Sequence, residues 1–301
     1  MMKQVPRYKV LIVLAFIAIY VIWGSTYLLN KIAVSEIAPL LLASYRFVSA
    51  GILVLVIAYL LKINLKISQK QLWNSTLAGF LFLTYGNGVF VWALKYVDSG
   101  FAALEAATQP LFVILLMRIL YGIKMAPKSI LGVILGIIGM FLLVYQDGLE
   151  LNDNSILGML MILTAIISWS YGSIFVSKAD LPPNFFVSTA YQMIAGGLML
   201  LVLSFILNET WSTPEFWSFK VQISMFLLVV FGSIVAFTSF NYLLKVVSTE
   251  KVATSAYVNP IIALILGWYI LDETISVQSI ISAVILLTGV YCINSGKSSK
   301  T

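Results

Sequence analysis

Arg46 and Glu105 are the ionisable side chains set deepest in the apolar runs of this chain. Each lies a few residues in from the end of its run, at a similar depth of about 8–10 Å at 1.5 Å per residue. A lone charge at that depth is costly in a membrane unless it pairs or reaches water. Several chemistries are open to them. The two can form a mutual ion pair, Glu105 can exchange a proton, Arg46 can take a solute carboxylate, or both can reach out to the interface. Arg118 lies near the opposite end of its run, where it can extend to headgroups, and needs no further role.

Two dipeptides, Gln109-Pro110 and Asn259-Pro260, sit in the middle of apolar segments 150 positions apart. A proline there leaves one carbonyl without a donor and bends the helix. The preceding amide can satisfy that carbonyl, or it can bind a solute. Other polar and aromatic residues share this depth: Trp23, Ser25 and Asn30; Thr84, Tyr85 and Asn87; Ser168, Trp169, Ser170 and Tyr171; Tyr191 and Gln192; Thr238, Ser239 and Asn241; Thr254, Ser255 and Tyr257. A small-molecule site is mostly apolar with a few polar groups that orient the ligand. The candidate substrate contacts are therefore Trp23, Ser25, Tyr45, Arg46, Tyr85, Asn87, Gln109, Trp169, Tyr171, Tyr191, Gln192, Tyr257 and Asn259. Core packing and interhelical hydrogen bonds are the competing explanation for each of them.

These residues must be positioned by two copies of one unit. Phe90, Leu94, Lys95, Val97, Ala103, Ala106, Pro110, Ser129, Ile130 and Gly139 recur 150 positions later, from Phe240 to Gly289. Upstream the offset is 146: Trp23 with Trp169, Tyr45 with Tyr191, Gly51 with Gly197. The slip of four falls in the polar loops 62–71 and 208–221. The charge is not duplicated, because Arg46 and Glu105 correspond to Gln192 and Ser255.

Hydrophobic residues make up 61% of the chain and charged residues 10%, with a mean hydropathy of +1.01. A soluble domain is about 45–50% apolar and about 25% charged. Ten segments are long and apolar enough to span a bilayer: roughly 10–32, 39–61, 72–93, 99–121, 128–145, 156–178, 186–207, 222–243, 250–270 and 277–294. The expected fold is therefore an all-α membrane protein of ten transmembrane helices, as two inverted five-helix repeats over 10–145 and 156–294. The first run is too long for a signal-peptide core and has no small-x-small site after it, so it reads as a retained span. With the N-terminus inside, thirteen Lys and Arg fall on the inner side. Lys31, Lys95 and Lys220 fall outside, and Arg46 and Arg118 within spans, which completes the 18. Positive loops stay cytoplasmic, so both termini read as cytoplasmic. The +6 net charge follows this topology and does not indicate nucleic acid. An odd number of spans per repeat inverts the second copy, a common build of secondary transporters. Gly132, Gly136 and Gly139 form a small-residue face, which makes the fifth and tenth spans a scaffold or a dimer face.

The chain lacks histidine and has one cysteine, Cys292, which argues against a multi-cysteine metal site and against common proton-shuttle chemistry. No acid cluster or phosphate loop suggests an enzyme, a bound cofactor or an ATP-driven motor. No repeated charged or carbonyl ring suggests a channel.

The run Trp23-Gly24-Ser25-Thr26, then Tyr45-Arg46-Phe47, Ala93-Leu94-Lys95-Tyr96, the two prolines and Leu271-Asp272-Glu273 together resemble an EamA-type member of the drug/metabolite transporter superfamily. The resemblance covers about residues 10–295. The family's first half has a Glu where this chain reads Gly122-Ile123-Lys124. The resemblance implies a secondary active transporter in the inner (plasma) membrane. It would export small organic metabolites such as amino acids or their analogues by alternating access, driven by proton antiport or the solute's own gradient. The alternative is a membrane channel or scaffold without active transport. Any proton coupling would rest on Glu105.

Overall fold

The computed structural model describes residues 7–122, 126–144, 153–252, 255 and 258–295. Among these the chain is helical, with no strand. The rods are α1 (Tyr8–Ala33), α2 (Pro39–Leu60), α3 (Gln69–Ala93), α4 (Ser99–Tyr121), α5 (Pro127–Val144), α6 (Asp153–Lys178), α7 (Phe185–Ile206), α8 (Phe219–Val246), α9 (Asn259–Leu271) and α10 (Val277–Ser295). Seven of them are long and apolar enough to cross a membrane. Pro127–Gly139, Asn259–Leu271 and Val277–Gly289 are apolar but shorter.

Both prolines interrupt their helices more sharply than a bend. Helix α4 stops at Ala106 and restarts at Gln109, with Pro110 in the first turn of the new segment. Helix α9 likewise starts at Asn259 with Pro260 in its first turn, after a short helical piece, Thr249–Val252. A proline is tolerated in a first turn because its missing N–H would have no partner there anyway. Within the expected ninth span over 250–270, the described residues form the end of that short α-helical piece, to Val252, and a separate α-helix from Asn259.

The helix ends repeat as the sequence does. Lys62 and Asn208, 146 apart, both adopt left-handed backbone, with φ of 57° and 53°. The next residue of each donates back to the helix, Ile63 N to Ala58 O and Glu209 N to Ser204 O, which closes the last turn. Gly122 and Asp272, 150 apart, end α4 and α9 in the same left-handed form.

Packing pairs equivalent elements. Helix α2 lies along α7 and α5 along α10; α1 meets α9 as α6 meets α4; α8 lies on α2 as α3 lies on α7. Glycines permit the close crossings. A Cβ on Gly197 would sit 2.9 Å from the Val48 nitrogen, and one on Gly289 2.8 Å from the Gly132 carbonyl. The small-residue face of α5 is thus occupied by α10 of the same chain, which leaves that stripe no part in the dimer contact considered above. Three π-helical stretches break the α pattern, at Ala18–Ile22 in α1, Phe80–Asn87 in α3 and Leu228–Val235 in α8. Such wide turns loosen the regular ladder and are frequent at functional sites.

Candidate functional site

Where these interrupted helices converge there is a cavity of about 110 Å³. That is room for roughly seven or more waters, or one small organic solute. Helix α1 contributes Trp23, Thr26, Tyr27 and Asn30, one face at i, i+3, i+4 and i+7. The α3 face is Leu83, Gly86, Asn87 and Phe90; α4 adds Ala103, Ala106, Ala107 and Gln109, and α6 adds Trp169. Arg46 comes from α2, Gly232 and Phe237 from α8, and Asn259 from the start of α9. Among the described residues none of the lining comes from α5, α7 or α10.

Arg46 is 3% exposed. Its Nε donates to Ser233 Oγ at 2.7 Å and its Nη1 to Asn30 Oδ1 at 3.5 Å. Ser233 belongs to the π stretch of α8, and beside it Gly232 lacks the side chain that would displace the guanidinium. A Cβ there would lie 3.0 Å from Arg46 Nη2 and 2.9 Å from Thr26 Cγ2. The carbonyl of Gly232 also accepts from Trp23 Nε1 at 3.2 Å. Part of the wall is aromatic. Trp23 and Trp169 meet edge to face at 5.7 Å, backed by Phe82, Phe237 and Phe240.

Glu105 is not part of this wall. It is 1% exposed, and its Oε2 has no hydrogen-bond partner among the described residues. At 3.6 residues per turn it falls about 200° round α4 from Ala103 and Ala107, which line the cavity. No ion pair joins it to Arg46 among the described residues, because the guanidinium bonds to neutral oxygens of α1 and α8 instead. Similar depth did not mean a shared face.

The two amides before the prolines have separated roles. With its nitrogen turned to α1, Asn259 donates to the carbonyls of Tyr20 and Ile19 at 2.8 and 3.1 Å. These carbonyls belong to the π turn of α1 and not to the carbonyl one turn behind Pro260. Helix α6 has no π turn at the matching place, and the Gln109 side chain is left facing the cavity.

Of the candidate contacts, Trp23, Arg46, Asn87, Gln109, Trp169 and Asn259 meet at the cavity. The others do not. Tyr85 and Tyr171 are 37% and 39% exposed on the outside of the bundle. Ser25 bonds back to the Ile22 carbonyl at 2.7 Å. The Tyr45 ring packs 5.9 Å from Trp217. Tyr191 donates from its hydroxyl to the Leu65 carbonyl at 3.3 Å and so ties down a loop. Gln192 is buried against Ser188 within α7. Tyr257 lies outside the described residues, as do Thr254 and the Ile123-Lys124 departure. Tyr27 and Ser233 were not among the candidates; the i+4 spacing of Tyr27 from Trp23 was the signal available for it.

One end of the bundle is tied by carboxylates on helix N-termini. Glu273 accepts from the Ser99 N, the Gly100 N and the Ser99 hydroxyl at 2.7–3.1 Å. Glu209 accepts from Leu40 N and Leu41 N at 3.1 and 3.0 Å. Glu36 accepts from Ser218 N at 2.8 Å. Nearby, Lys31 Nζ donates to the carbonyls of Leu94 and Val97 at 2.8 and 2.7 Å. Burial, and then the Glu273 carboxylate, push the Asp98 carboxyl up, while Lys31 pulls it down.

The model of the EamA-like transporter family matches residues 10–145 and again 156–295. The chain is 36% identical over 285 residues to the uncharacterized inner membrane transporter YedA of Escherichia coli (strain K12), covering 94% of this chain and 90% of that protein. It is 23% identical over 280 residues to the uncharacterized transporter YoaV of Bacillus subtilis (strain 168), covering 93% and 95%. A solved crystal structure at 18% identity superposes with a TM-score of 0.69, over 94% of this chain and 96% of that one, which shows a shared fold. With two family matches that together span the helical bundle, this chain belongs to the EamA-like transporter family.

Proposed function

We propose that this protein is a secondary active transporter of the inner (plasma) membrane that exports small organic metabolites such as amino acids or their analogues. Its ten spans form two inverted five-helix repeats, both termini are cytoplasmic, and access alternates by rocking one repeat against the other. One observation carries this reading. A cavity of solute size lies where α4 and α9 are interrupted, with polar groups from both repeats in its wall. Broken helices that line a midplane cavity are a common design of transporter sites. The carboxylate caps at one end support a bundle held shut on that side, which alternating access requires of one state.

Reconstituted protein should exchange internal and external labelled solute and show saturable counterflow. Flux linear in concentration, with no counterflow, would favour the channel alternative. For the driving ion, Glu105 is the proposed proton site, since it is buried with an unpartnered oxygen. Glu105→Gln should remove the pH dependence of flux while the variant stays folded. Unchanged pH dependence would exclude Glu105 from coupling.

A further inference from the structure

Arg46 lacks a carboxylate counter-ion among the described residues. A guanidinium has five N–H donors and is always charged, and only Nε and Nη1 are used, on neutral oxygens of Ser233 and Asn30. The residue is 3% exposed and lines the cavity; its guanidinium lies over the Phe47 ring, 4.8 Å from the centroid, and among the described residues a fork of N–H groups is left without an acceptor and the charge without an anion. Charges this deep in a bundle are ordinarily paired. No described lining residue is acidic, and Arg46 is the one basic residue among them.

We propose that the counter-ion of Arg46 is the solute itself, and that the cavity selects small organic monoanions bearing one carboxylate. The inference deepens the transport reading above and rests on it. Planar guanidinium donors match a carboxylate in a bidentate fork. A single cation balances one negative charge. A dianion would leave one charge uncompensated, and a cationic solute would face repulsion from Arg46 and find no carboxylate. The rest of such a solute meets the rings of Trp23 and Trp169, so an aromatic or aliphatic tail is accommodated. Asn87 lines the same space with a buried, unpartnered Oδ1, which suits one hydroxyl or N–H on the solute. An amino acid can use both groups, but its ammonium gains no opposite charge. At equal size the order of binding is therefore monoanion, then zwitterion, then cation.

Purified protein should be titrated with 3-phenylpropionate, phenylalanine, 3-phenylpropanol and phenethylamine, which share a skeleton and differ in charge. Binding is read by thermal shift and by quenching of tryptophan fluorescence, since Trp23 and Trp169 wall the cavity. Phenylpropionate should bind at least about tenfold more tightly than phenylpropanol, and phenethylamine most weakly. Arg46→Gln should erase the difference between acid and alcohol. Arg46→Lys, which keeps charge but not the fork, should restore part of it. Equal binding of all four, tightest binding of the amine, or a charge preference that survives Arg46→Gln would overturn the inference. The charge series on the unmodified protein decides the matter even if the variants do not fold. Charge-selective binding without counterflow would sink the transport reading and leave the anion site standing. Counterflow of a cation that is indifferent to Arg46 would do the reverse.

Discussion

Arg46 is held where it is by what its neighbours lack. Gly232 has no Cβ, and the guanidinium fills that space to reach Ser233. In Gly232→Ala the new Cβ would meet Cγ2 of the short Thr26 side chain at 2.9 Å as well as the flexible end of Arg46 at 3.0 Å, so the protein should fold with a lowered melting temperature. The guanidinium should still lose its bond to Ser233. Affinity for phenylpropionate should then fall about two- to tenfold, the worth of one hydrogen bond of about 0.5–1.5 kcal/mol. Calorimetric titration checks this, and unchanged affinity would show that the Ser233 contact does not position the guanidinium. Glu105 and Arg46 also show how far single residues could be read from the sequence. Their depth was legible from distance along an apolar run. Their facing was not, because an error of two residues in register turns a side chain about 200° round a helix.

At the scale of elements, three helices begin on the carboxylate of another segment. An anion at an N-terminus satisfies free N–H groups and meets the positive end of the helix dipole. Glu273 does this for α4, Glu209 for α2 and Glu36 for α8. The Ser218 backbone N–H, and then its side chain, hold the Glu36 carboxyl below the usual carboxylate range. Its contribution is therefore present at neutral pH and lost as pH falls through that depressed range. Replacing Glu273 by Gln should weaken the tie on α4 and raise access to the cavity from that end. In a Cys292→Ala background, a cysteine at Ala103 should react faster with a membrane-impermeant maleimide once Glu273→Gln is added. An unchanged rate would show that Glu273 caps α4 without closing the path. The sequence drew attention to Glu273 only through its resemblance to a family; the residue that accepts the cap, Ser99, lies in the other repeat and could not be named.

For the whole molecule, the proposed orientation has a direct test. Single cysteines at Glu215, in the connection between α7 and α8, and at Lys70, in the first turn of α3, would lie at opposite ends of the bundle in a Cys292→Ala background. Labelling of intact cells should modify the Glu215→Cys protein and spare the Lys70→Cys protein; the reverse pattern would invert the proposed topology. The duplication itself was legible residue by residue. Gly51 and Gly197, matched by offset alone, both lie in the crossing of α2 and α7. Lys62 and Asn208, at the slip between the two offsets, end their helices with the same backbone.

The sequence by itself determined the apolar helices, their division into two copies and the places where proline interrupts them. Each of these depends on local chemistry: burial of backbone polar groups in lipid, and a ring that cannot donate. Only the tertiary structure decided which side of each helix faces the cavity. Tyr85 and Asn87 are two residues apart, yet one is exposed and the other lines the site. Asn259 and Gln109 are equivalent in sequence, yet a π turn in α1 engages the first and leaves the second facing the cavity. Facing is fixed by contacts between helices far apart in the chain, and no stretch of sequence short enough to read as one element contains both partners.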